Sequence, residues 1–140
     1  MSQILSYQKI TAARDSISDI YNYAERNLVI DITRGDDAPI AVLRKDLLIT
    51  LLQASCVFEP KVHFSEEGYV SMWLEGLPVS AQGVSLEVAE FELIRSLRDF
   101  SQTWMDDLRE YPNHRDNWQL PALVRLTTDD QLHQLVFGNE

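Results

Sequence analysis

The sequence holds a single cysteine, Cys56, among 140 residues, so no intrachain disulfide can form and a cysteine-rich zinc site is excluded. Redox work would need an accessible, activated thiolate. The apolar neighbours Val57 and Phe58 predict a small buried side chain instead. Histidine is almost as scarce, and His63, His114 and His133 share no ligand spacing such as H-x-x-x-H. Carboxylate pairs occur at Glu66-Glu67, Asp106-Asp107 and Asp129-Asp130, but sequence neighbours point apart on a helix or strand, which argues against a nuclease-type divalent-metal site. No G-x-S-x-G elbow and no glycine-rich phosphate loop is present. The expectation is a chain that is not an enzyme, with no metal and no cofactor. No apolar run approaches the roughly 18 to 20 residues of a membrane span, and MSQILSYQKI lacks the basic-then-apolar pattern of a signal peptide. A cytoplasmic protein without a membrane partner is expected.

Positive charge is also in short supply, with 12 Lys and Arg against 22 Asp and Glu, a net −10. Phosphate contact relies on clustered cations, so the distribution matters. Residues 1–50 contain Lys9, Arg14, Arg26, Arg34, Arg44 and Lys45 against seven acids, a net −1; residues 51–140 hold six basic and fifteen acidic groups, a net −9. A basic patch can survive in the first part. The acidic second part suits a cationic protein partner, or is simply a solvated surface.

What is present reads as alternating strands and helices. Ile4 to Ile10 predicts a short strand, after which Thr11 can cap a helix whose apolar stripe is Ala13, Ile17, Ile20, Tyr21 and Ala24. LVIDIT, the turn formers Arg34 to Pro39, and IAVL predict a β-hairpin. Asp46 can cap a short helix bearing Leu47, Leu48, Leu51 and Leu52, too apolar to be left in water. Lys61 to Phe64 and Tyr69 to Leu74 predict a second hairpin, and Gly76, Pro78 and Gly83 punctuate a loop. Ser85 then caps a long helix over about residues 86–110, with the stripe Leu86, Ala89, Leu93, Leu97, Phe100, Trp104 and Leu108 widened by Val88, Phe91, Ile94 and Met105. A polar linker at Asn113 to Asn117 leads to an apolar tail in which Thr128 starts a helix and Gly138 stops it.

The order strand, helix, hairpin, helix, with LSY (Leu5 to Tyr7), Ala13-Arg14 before ISDI, ITRG (Ile32 to Gly35), PIAVL (Pro39 to Leu43) and a helix from Asp46, resembles the Phd/YefM antitoxin domain. The separation of Tyr7 from Arg14 exceeds the S-Y-S-E-A-R spacing of that family, so the DNA-facing turn is longer. The resemblance implies a homodimer whose helix starts and hairpin arginines face operator DNA. Its candidate DNA-binding residues are Arg14 and Arg34, with Lys9 and Thr11 in the lengthened turn; for each, a surface charge or helix cap is the alternative.

The second part, with EEGYV (Glu66 to Val70), Leu77-Pro78, Gln82-Gly83 and SLEVA (Ser85 to Ala89), resembles a HicB-type antitoxin core, lacking the Gly-Cys after Leu-Pro and the Asp after the glycine. The expected fold class is therefore α+β: a Phd/YefM-like β-α-β-β-α dimerisation domain at 1–54, a small HicB-like sheet-plus-long-helix domain at 57–110, and a C-terminal tail at 111–140 that binds a partner or packs. Trp118, Leu123, Leu132 and Val136 are its partner-binding candidates. The function these resemblances imply is that of a type II antitoxin, which neutralises a cognate toxin, a small ribonuclease, by direct binding and represses its own operon. The alternative is a transcription regulator or interaction adaptor with no toxin.

Overall fold

Two three-stranded sheets, one in each part of the chain, organise a mixed α+β fold in the computed structural model, which describes residues 5–138. The chain divides into two units, Met1–Thr50 and Leu51–Glu140.

In the first unit β1 (Ser6–Tyr7) pairs in parallel with β2 (Ile30–Ile32), which pairs antiparallel with β3 (Ile40–Val42). Parallel neighbours need a crossover connection, supplied here by α1 (Ile10–Asp15) and α2 (Ile17–Glu25). Ile4, expected in the first strand, lies outside the described residues. Tyr7, Ala13, Ile20, Ala24, Ile30 and Ile32 form the core. Two stripe residues behave otherwise: Ile17 and Tyr21 are 63% and 68% exposed. The helix is interrupted at Ser16 (φ −116°, ψ 21°), which closes α1 and precedes α2. A single 3.6-residue register therefore does not run through both segments. Thr11 lies inside α1 and not at its cap; Lys9 takes that position, in extended backbone and without a side-chain cap bond.

The chain then enters α3 (Lys45–Ser55). Asp46 sits in its first turn, where Arg44 grips the carboxylate through Nε at 2.5 Å and a terminal nitrogen at 2.8 Å while donating to the Glu25 carbonyl at 3.1 Å. Hydrogen bonding to Arg44 holds the Asp46 carboxyl below its usual range. The leucines of α3 divide: Leu52 is buried, whereas Leu51 is 61% exposed.

In the second unit β4 (Pro60–Phe64), β5 (Val70–Leu74) and β6 (Ser80–Gly83) form an antiparallel meander in the order β4-β5-β6. Gly68 adopts φ +94° in the first turn, a conformation other residues rarely take. β6 replaces the expected loop: Gly76 and Pro78 mark a tight turn, after which Ser80 to Gly83 pair with Val70 to Trp73. Ser85 caps α4 (Leu86–Asp106), its Oγ accepting from Val88 N–H at 3.2 Å. Ala89, Leu93, Ile94 and Leu97 are buried and Phe91 is 60% exposed. A 3-10 turn at Leu108–Glu110 ends the helical run, and Pro112–Arg115, expected within and beside a linker, form the short α5. The Trp104 indole N–H reaches back to the His114 carbonyl at 2.9 Å, tying this connection to α4.

α6 (Gln119–Leu126) and α7 (Asp129–Phe137) complete the unit, and α4 packs against β5, β6, α6 and α7. Thr128 and Gln131 form a reciprocal capping box at the start of α7, while Gly138 (φ +74°) ends it. Val124, Leu132 and Val136 share one core with Leu93, Leu97, Met72 and Leu74.

Candidate functional site

The four candidate DNA-contacting residues lie on exposed positions of the first unit. Lys9 and Thr11 occupy the entry to α1. Arg14 belongs to the last turn of α1, not to the first turn of a helix as expected, because the lengthened segment after Tyr7 is itself folded as helical turns. A cation there also complements the negative end of the helix dipole. Its Nε meets Asp15 at 3.3 Å, with both side chains about three-quarters exposed. Arg34 lies in the β2–β3 connection, next to Gly35 at φ +56°. The Arg34 carbonyl accepts from Asp37 N–H at 3.0 Å and its guanidinium Nε donates to the Asp37 carboxylate at 2.8 Å. The loop is therefore a closed turn that holds its arginine at the surface. Exposed ion pairs contribute only about 0–1 kcal/mol, so either guanidinium can exchange its aspartate for a phosphate at small cost.

In the second unit the partner candidates separate by burial. Trp118 is 47% exposed, whereas Leu123 and Leu132 are 0% and Val136 is 4% exposed. Those three residues are core residues and not a partner surface: α6 and α7 turn them inward, and displaying them would mean opening the unit. Of these four candidates only Trp118 has its side chain exposed.

Arg98, not singled out from the sequence, joins α6 to α7. It donates to the Val124 and Thr127 carbonyls at 2.8 and 2.9 Å and to Asp129 at 2.5 Å. Thus one guanidinium caps the end of α6 and neutralises an acid in the first turn of α7. Its backbone partners lie 26 and 29 residues away, so local spacing carries no trace of the role. Arg98→Ala is expected to destabilise the second unit by about 2 kcal/mol, mostly through the orphaned carbonyls, since Asp129 is well solvated. Arg98→Lys should recover only part, because a lysine cannot span all three acceptors. Urea unfolding of the three proteins measures both effects.

An open cavity of about 490 Å³ is lined in part by Cys56, Phe58, Phe100, Trp104, His114 and Leu120. Cys56 is only half-buried, a correction to its expected burial, and desolvation pushes its thiol above the ordinary value. It is thus a poor thiolate at neutral pH. Among the described residues no group of three or more His, Cys, Asp or Glu side chains is placed to hold a metal ion. No helix among them is long and apolar enough to cross a membrane.

A family model described as "Antitoxin of toxin-antitoxin, RelE / RelB, TA system", and named PHD-like, matches residues 3–137. The chain belongs to this antitoxin family. A cognate toxin is accordingly its partner class, and it is a regulatory protein and not an enzyme. The fold of the antitoxin is similar to a crystal structure of an antitoxin part of a proposed toxin/antitoxin system from Syntrophomonas wolfei subsp. wolfei. That likeness has a TM-score of 0.78 at 18% identity and covers 96% of this chain and 97% of the other. No curated protein matches the antitoxin.

Proposed function

We propose that this antitoxin neutralises a small ribonuclease toxin by direct binding through its acidic second unit, and represses its own operon by binding operator DNA as a homodimer through its first. In this reading the first unit is a Phd/YefM-like domain and the second a HicB-like domain. The observation that carries the proposal is the pairing of the antitoxin family match over residues 3–137 with a first unit of net −1 that presents Arg34 on a closed hairpin turn. Arg14, Lys9 and Thr11 extend the same candidate DNA face. A basic ribonuclease, whose own function requires a cationic surface for RNA, complements the −9 of residues 51–140. The homodimer is supported by Ile17 and Tyr21, exposed apolar side chains one helical turn apart on α2.

The test is a promoter-shift titration with the antitoxin's own upstream DNA. Arg34→Ala should weaken the shift about tenfold, by roughly 1–3 kcal/mol, and leave the sedimentation behaviour of the protein unaltered. An unchanged shift would remove Arg34 from the DNA face. Toxin neutralisation is read separately, as growth rescue when the protein encoded by the adjacent reading frame is co-expressed.

A further inference from the structure

β4 combines an unpaired backbone edge with uncovered apolar side chains. In the β4–β5 ladder the Ser65 N–H donates to the Tyr69 carbonyl at 2.8 Å and the Glu75 N–H to the Glu59 carbonyl at 3.0 Å. Between those ends Lys61 faces Trp73 and His63 faces Ser71. Antiparallel pairs alternate between hydrogen-bonded and non-hydrogen-bonded positions. Positions 59, 61, 63 and 65 are therefore the bonded ones, and the backbone groups of Pro60, Val62 and Phe64 turn away from β5. β4 ends the sheet, so among the described residues no strand receives them.

The side chains of the same residues lie over the core side of the sheet. Pro60, Val62 and Phe64 stand opposite Leu74, Met72 and Val70, and directly opposed residues share a face. The β5 residues are buried, and α4 packs over β5 and β6. Cover falls away at β4, where Val62 is 45% and Phe64 is 61% exposed. A free edge with exposed apolar side chains is a template for an added strand.

Charge selects the occupant. Glu59, Glu66, Glu67 and Glu75 stand at the two ends of the β4–β5 hairpin, against Lys61 as its one lysine or arginine. Two β4 strands of this chain, paired antiparallel with their apolar faces matched, would oppose Lys61 with His63, or His63 with its own copy, between two units of strongly negative charge. A strand of another protein that is uncharged opposite Lys61 and His63 and carries its cations beyond the ends of β4, beside these glutamates, meets neither obstacle. We infer that the free edge of β4 accepts an extended strand of the basic toxin, whose alternate apolar side chains cover Val62 and Phe64 while its Lys or Arg side chains meet Glu59, Glu66 and Glu67. This inference rests on the antitoxin–toxin reading above.

Proline provides a register-specific test. Pro60 already occupies an edge-facing position, where its missing N–H costs no ladder bond. Val62→Pro removes a donor from the free edge alone, and Phe64→Asp charges the apolar strip without touching the backbone. The full-length chain is titrated with the purified protein encoded by the adjacent reading frame, and amide hydrogen exchange is followed in the free and bound chains. Both variants should raise Kd tenfold or more with an unchanged unfolding midpoint. The amides of Val62 and Phe64 should exchange quickly in the free chain and at least tenfold more slowly in the complex; those of Lys61 and His63 should be protected in both. Wild-type binding without new protection at Val62 and Phe64, and with Phe64→Asp still binding at full affinity, overturns the edge while sparing the antitoxin–toxin pairing. Protection already present in the free chain and growing with its concentration assigns the edge to a second copy, and also overturns it. Failure of the wild-type chain to bind overturns the pairing with that protein and the edge together.

Discussion

Leu97→Ala is expected to destabilise the second unit by about 3 kcal/mol, the scale of a buried leucine truncated where its surroundings cannot collapse. Leu97 is 0% exposed and belongs to the core that gathers Leu74, Leu93, Val124 and Leu132 from one sheet and three helices. Elements held from several directions relax little into a new void, so collapse of the site does not bring the cost below that scale. The measurement is favoured by composition, because the three tryptophans Trp73, Trp104 and Trp118 all lie in the second unit. Urea unfolding followed by tryptophan fluorescence thus reports on that unit alone, which avoids treating a two-unit chain as a single transition. Phe91→Ala on the same helix, where the ring is 60% exposed, should cost well under about 1 kcal/mol. Similar midpoints for Leu97→Ala and Phe91→Ala would remove Leu97 from the centre of the core.

That contrast marks where the sequence was informative. The helical repeat from Ala89 through Leu93 to Leu97 is legible because burial on one side of a long helix imposes a 3.6-residue period. It did not separate Phe91 from Ile94, since both widen the stripe and only the neighbours present decide which flank is covered. The hairpins at Ile30 to Val42 and Pro60 to Leu74 were legible through turn formers between β-branched and aromatic runs. β6 was not, because Ser80, Ala81, Gln82 and Gly83 are small or polar residues with little strand character of their own, and pairing with β5 makes them a strand. The break at Ser16 was equally silent. Serine is tolerated within helices and at their caps. Ile17 and Tyr21 are exposed for a separate reason, since they share α2 with the buried Ile20 and Ala24 and only the position of the core decides which flank of the stripe is covered.

The candidate site divides along the same line. Arg14 and Arg34 were singled out through the Phd/YefM resemblance, and both guanidinium groups lie at the surface. The apolar residues of the tail were recoverable as apolar, but Leu123, Leu132 and Val136 could equally cover this chain or another until α6 and α7 were seen against α4. Arg98 and the β4 edge were out of reach for a stronger reason. Both depend on backbone groups: in one case carbonyls at the end of a remote helix, in the other the N–H and C=O groups left over by an antiparallel register. Residue identity does not encode either, and only the assembled topology determines which of those groups go unpaired.

Gly83→Ala shows how a motif residue can be fixed by packing alone. Gly83 ends β6 opposite Val70 on the buried face of the sheet, and space is what demands the glycine there. A Cβ added at this position would stand 2.6 Å from the Ala89 backbone nitrogen and 3.0 Å from the Val88 carbonyl carbon. Those atoms belong to the first turn of α4, which is held in place by the Ser85 cap on Val88 N–H. The first turn cannot yield as a flexible side chain would. Alanine must therefore lift the start of α4 from the sheet, straining the cap and loosening Ala89, which is 0% exposed. The expected cost is about 2–3 kcal/mol, within the range for overpacking a tight core. Gln82→Ala, one residue earlier and on the exposed face of the same strand, should stay within about 0.5 kcal/mol of wild type. Tryptophan-detected unfolding distinguishes the two, and hydrogen exchange locates the effect: Gly83→Ala should speed exchange at Val88 and Ala89 while leaving the middle of α4 near Leu97 slow. If Gly83→Ala unfolds at the wild-type midpoint, the close approach of β6 to α4 does not exist in solution.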